Sequence, residues 1–120
     1  MALSVLAQQF AAEIKLQDWS DAHSRLDRAG HNRDVDRTSA PQLTPQETDA
    51  VRTNVMWVVA QVLSYNDPNF NVYEFAEAAG VPDSVRFTSR GKLSGAIQYG
   101  LRHSSASGRF SAPGDPNFPH

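Results

Sequence analysis

A chain of 120 residues, 40% hydrophobic and 20% charged, is long enough for one domain with a modest core of its own. Its formal net charge of -2 excludes a protein whose whole surface is a nucleic-acid glove. The absence of cysteine excludes a disulfide framework, a thiolate zinc site and a cysteine nucleophile, and agrees with a cytoplasmic location.

No run approaches the roughly eighteen apolar residues needed to span a bilayer, so no membrane partner is expected. The opening MALSVLAQQFAAEIK has no positive n-region, and acidic Glu13 precedes Lys15, which does not read as a secretory signal.

Residues 2–15 have helical spacing, with Leu3, Leu6, Phe10 and Ile14 on one face and Ala7 and Ala11 beside them. This helix either packs on the rest of the chain or serves as a dimerisation element. The phase then slips: Leu16, Trp19, His23 and Leu26 form a second stripe. Either the helix bends near Leu16 to Asp18, or Asp18 caps a separate helix running to about Arg28, with an Asp21–Arg25 pair along it. Gly30 closes this N-terminal unit, residues 1–30. Residues 31–43 are polar and unpatterned and read as a loop.

Thr44 to Tyr65 is the most legible helix. Thr44 is an N-cap, Pro45 fits the first helical position, and Glu47 completes a T-x-x-E capping box. Val51, Val55, Val58, Val59 and Val62 follow at helical spacing, with Met56, Trp57 and Leu63 widening the apolar face. Such a helix is expected to be central and covered from more than one side. Asn66-Asp67-Pro68-Asn69 ends it.

Asn71 caps a short helix, VYEFAEAA, closed by Gly80, and Asp83 begins a further segment, SVRFTSR. Lys92 to His103 reads as another helix, with Leu93, Ile97 and Leu101 in line. Its Gly95 and Gly100 either weaken it or mark close packing. Residues 104–120 lack periodicity and read as an extended tail, with a short β-ribbon around Gly108-Arg109-Phe110. The expected fold is therefore mostly α: one compact bundle of about five helices over residues 1–103, whose basic part is 71–103, followed by the tail.

The charge is segregated. Residues 1–80 carry 6 Lys/Arg against 11 Asp/Glu, whereas 81–110 carry Arg86, Arg90, Lys92, Arg102 and Arg109 against Asp83 alone. A basic part joined to an acidic one points to an anionic partner.

Within the basic part, residues 72–89 resemble a helix-turn-helix. Ala76 and Gly80 have the spacing that lets one helix cross another closely and takes the backbone round the corner. Phe75, Ala79 and Val81 flank them, and FAEAAGVP is similar to the first half of many bacterial regulators. In the second half, Arg86 and Ser89 occupy positions that the pattern makes apolar, and Asp83 stands near the helix start. The resemblance implies DNA as a partner, with Arg86, Ser89, Arg90 and Lys92 as contacts, Arg102 further along, and Arg109 on a wing-like ribbon. An ordinary corner of an α-helical domain has the same outline.

Nothing points to catalysis. The four histidines form no metal-binding pair, so a metal site would have to be assembled across the fold; Asp34 and Asp36 near His31 could contribute to one, but acids in a polar loop are more often only solvated. G-x-S-x-G, G-x-G-x-x-G and P-loop motifs are absent. No metal or cofactor is expected. The sequence reads as a small non-enzymatic nucleic-acid-binding or regulatory protein. Its rival is a structural or adaptor protein that self-associates or docks to a protein partner through the 31–43 loop and the tail.

Overall fold

The computed structural model describes residues 3–24, 26, 29, 41–103 and 109–115. Of the expected loop at 31–43, residues 31–40, with His31, Asp34 and Asp36, lie outside the described residues. So do Arg25 of the expected ion pair, Arg28, Gly30, and tail residues 104–108 and 116–120.

Five α-helices form among the described residues: α1 (Val5–Leu16), α2 (Pro45–Asn66), α3 (Val72–Ala78), α4 (Asp83–Arg86) and α5 (Gly95–Tyr99). One hydrophobic core joins α1, α2, α3 and α5, with Met56, Phe75 and Ile97 fully enclosed. The mostly helical architecture holds.

α1 starts where Ser4 accepts a hydrogen bond from the Ala7 N–H. Its inner stripe is Ala7, Ala11 and Ile14, so small side chains let it lie close to α2 and α3. Leu6 and Phe10, expected on the inner face, remain 57% and 42% exposed at the edge of the alanine contact. The second stripe does not become a helix. Asp18 is a cap, but of a 3-10 turn at Trp19–Asp21. Trp19 alone of that stripe packs on the core, its indole N–H donating to the Ile14 carbonyl at 3.0 Å, while Leu16, His23 and Leu26 face solvent.

α2 keeps both halves of its capping box. The Glu47 N–H donates to Thr44 Oγ1 at 3.1 Å, and the Thr44 N–H donates to Glu47 Oε1 at 2.9 Å. Its buried face carries Thr53, Met56, Ala60, Gln61, Leu63 and Ser64. As expected of a central helix, α1, the 3-10 turn and α3 all pack on it, but one strip stays open: Val58 is 71% exposed and Val62 44%. α2 is therefore central on one face and open on another.

α3 ends in a Schellman motif. Val81 N–H bonds to the Ala76 carbonyl and Gly80 N–H to the Glu77 carbonyl, with Gly80 at φ 85°. This is the expected corner, and Ala76 at its inside is fully buried. The second arm departs from the helix-turn-helix pattern. α4 is a single turn, because Phe87 is already extended and pairs with Leu93 in an isolated bridge. The expected helix through Ser89 and Arg90 is instead a tight loop, held by Thr88 N–H to Lys92 O at 2.7 Å and Gly91 at φ 77°. The next helix is correspondingly shorter than 92–103: Ser94 caps it at Ala96, and it ends at Tyr99.

The β-ribbon expected near Arg109 is not found among the described residues. His103 and Phe110 make one antiparallel bridge, and no strand exists among the described residues. Gln61 holds the backbone beside that bridge. Its side-chain amide donates to the Arg102 and Ser111 carbonyls at 3.1 and 3.0 Å, and its carbonyl accepts from the Arg102 N–H at 2.7 Å. The Arg102 carbonyl also accepts the cross-chain bond from the Ser111 N–H at 2.9 Å, so the side chain joins this short pairing.

Candidate functional site

The basic half is built from the corner outward. Arg86 follows a turn of α4 and folds back: its Nε donates to the Val81 carbonyl at 2.9 Å, and its guanidinium pairs with Asp83. Glu77 lies 3.9 Å away, and the guanidinium also stands 5.0 Å from the centroid of the Phe87 ring. With a side chain only 14% exposed, Arg86 is the brace of the corner. Asp83, beside the corner in sequence terms, is thus the partner of an internal cation.

Ser89, Arg90 and Lys92 are all exposed on the loop between Phe87 and Leu93. The Thr88 hydroxyl accepts from the Arg90 and Lys92 N–H groups, each at 3.3 Å, so the loop presents its two cations from an ordered backbone. The loop leads through Ser94 directly into α5. Arg102, half-buried, lies beyond the other end of α5, and exposed Arg109 sits next to the Phe110 bridge.

Along α5 and the segment after it lies a cleft of about 570 Å³, bounded by Tyr73, Gln98, Tyr99, Leu101, Arg102 and His103 with Gly95 and Gly100. Tyr99 is 91% exposed, which is unusual for a large aromatic side chain. A second cleft of about 380 Å³ shares Tyr73, Gln98 and Leu101 with the first and reaches Phe70 and Phe110. The two clefts adjoin at those shared side chains and together make up a trough with Phe70, Tyr73, Tyr99 and Phe110 along it. Phe110 is fixed against His103, ring centroids 4.6 Å apart.

Three long-range contacts position the trough. Trp57 donates its indole N–H to the Ile97 carbonyl at 2.9 Å. Gly100 lies flat against the same indole, where a Cβ would come within 2.3 Å of the ring. Gln61 ties both 102 and 111 to α2. Neither Gln61 nor Tyr99 stands out in the sequence. Gln61 sits among valines with partners 41 and 50 residues away, and Tyr99 falls inside a segment whose regular helical reading would give it no special place. Of the expected contact residues, Ser89, Arg90 and Lys92 share one loop, Arg102 lies on the trough, Arg109 flanks it, and Arg86 is withdrawn into the corner.

Among the described residues no group of three potential metal ligands occurs, and no helix is long and apolar enough to cross a membrane. Comparison of the chain with protein-family models, with curated proteins and with solved structures finds no match.

Proposed function

We propose that the chain is a small nucleic-acid-binding protein whose contact surface is the basic half, with Arg90 and Lys92 on the loop, Arg102 on the trough and Arg109 beside it. Ser89 adds a hydroxyl for phosphate. Arg86 holds the corner and makes no contact of its own. The observation that carries this reading is an exposed cationic loop that leads in sequence through Ser94 into α5, whose residues line an aromatic cleft, in the one part of the chain with excess positive charge. Arginine and lysine supply phosphate contacts, and aromatic faces supply stacking.

Fluorescence anisotropy with labelled oligonucleotides tests it. Binding at low salt should weaken steeply as salt rises, since each phosphate contact releases counterions. Replacing Arg90 and Lys92 together with alanine should remove up to two such contacts and flatten the salt slope by about 0.7–0.9 per contact. Failure of any oligonucleotide to bind at low salt would sink the reading.

A second reading, self-association as an assembly protein, is favoured by one specific observation. Val51, Val55, Val58, Val62 and Tyr65 alternate at spacings of four and three along α2, the seam of a coiled coil. Val58, Val62 and Tyr65 are 71%, 44% and 50% exposed, and no charged residue interrupts α2 between Thr53 and Asn66. The occupant this seam fits is α2 of a second copy, and the solution mass of the protein tests it.

A further inference from the structure

Resting on the nucleic-acid reading, we infer that the trough takes unpaired bases, one of them stacked on Tyr99, so that the ligand is a single strand and not an intact duplex. Duplex reading through the major groove needs an element that enters it, as a recognition helix does. α4 has four residues and α5 five, and the cationic residues nearest α4 are on a loop or folded back into the corner. What the surface offers in place of a helix is a ring. Tyr99 stands 91% exposed at the edge of a 570 Å³ cleft, a volume within the usual range for small-ligand sites.

The lining suits a nucleobase. Gly95 carries no side chain, which leaves flat space for a ring on the Gly95 side of the cleft, whereas the space at Gly100 is filled by the Trp57 indole. A Cβ at Gly95 would meet nothing within 4 Å, so that end is open. The Gln98 carboxamide brings a donor and an acceptor to a base edge. Arg102 and His103 stand at the cleft for the attached phosphate. Across the shared Tyr73, the adjoining cleft is lined by Phe70 and Phe110, which gives a following base a second aromatic wall. Stacking is tolerant of base identity because every base has a π-face, so weak sequence preference is expected.

The test uses the full chain and three labelled probes at one low salt concentration: a short oligothymidylate, the same strand annealed to its complement, and a strand of equal length built of abasic units. The oligothymidylate should bind most tightly. Tyr99→Ala should weaken it roughly fivefold to a hundredfold, the range for loss of one base stack, whereas Tyr99→Phe should restore it. Because Tyr99 is almost wholly exposed, its removal disturbs little packing, and an unchanged unfolding transition verifies that. Duplex bound as tightly as the single strand, with Tyr99→Ala without effect, overturns the inference and leaves the nucleic-acid reading standing. Equal binding of the abasic strand also overturns it, since phosphate contacts alone would then account for affinity. Failure of all three probes to bind overturns both.

Discussion

Gly100 has no room for a side chain. A Cβ there would lie 2.3 Å from two atoms of the Trp57 ring, and that ring is pinned by its hydrogen bond to Ile97. Neither partner can yield cheaply, so Gly100→Ala should destabilise the protein by about 1–3 kcal/mol through overpacking. Gly95 is the matched control. It opens the short helix that Gly100 caps, with open space around its Cβ, and Gly95→Ala should be neutral or stabilising by up to about 1 kcal/mol. Urea unfolding of the two variants checks the contrast, and an equal effect from both would refute it. At this scale the sequence was legible where partners are close in the chain. Thr44 with Glu47, Asn71 as a cap and Gly80 at the helix end all follow from spacings of a few residues. Gln61 did not, because a glutamine among valines gives no local sign of bonds to residues 102 and 111. The two glycines looked equivalent, and only the distant Trp57 separates them.

At the scale of elements, α2 is the firmest and its start is titratable. The backbone N–H of Thr44, bonded to the Glu47 carboxylate, holds that group below the ordinary glutamate range, with the Thr44 hydroxyl adding to the effect and burial opposing it. A carboxylate whose folded value is depressed contributes stability that is present above its unfolded value and is lost as pH falls through the folded one. The capping box should therefore be complete at neutral pH and weaken only on acidification past the usual glutamate range. Glu47→Gln, which keeps a capping side chain without the charge, should flatten that part of the stability–pH curve. Thr44→Ala should lower stability at neutral pH by about 0.5–2 kcal/mol. Circular dichroism melts across the acidic range read both, and an unaltered curve in Glu47→Gln would count against the account. Element type was legible wherever local rules act alone, as in α1, α2 and α3. The helices after the corner were read too long because the forces that end them are nonlocal or specific to side-chain geometry. Phe87 turns extended to pair with Leu93, and Arg86 returns to Val81 instead of continuing a helical face.

For the whole molecule, the two faces of α2 carry different consequences. One face, through Trp57 and Gln61, fixes α5 and the segment at 102–111, and so shapes the trough. The other carries the exposed seam of Val58, Val62 and Tyr65. Spreading valines around the helix was legible in the sequence, but which of them would find cover was not, since alanines of α1 and not its larger side chains make the inner contact. If two copies pair along the seam, a lysine at its centre places like charges in an apolar contact. Val58→Lys should then convert a dimer to a monomer in light scattering. The same change should leave the fold intact, because Val58 is 71% exposed and touches the solvent side of the helix. It should also leave the affinity for a short oligonucleotide unchanged within about twofold, since surface substitutions rarely shift a separate site by more than about 0.5 kcal/mol. A longer strand that spans two copies should lose affinity, because the second contact is no longer intramolecular. A wild-type protein that is monomeric across the accessible concentration range would remove the seam from the account. Loss of short-oligonucleotide binding in Val58→Lys would show that the two faces of α2 do not act separately.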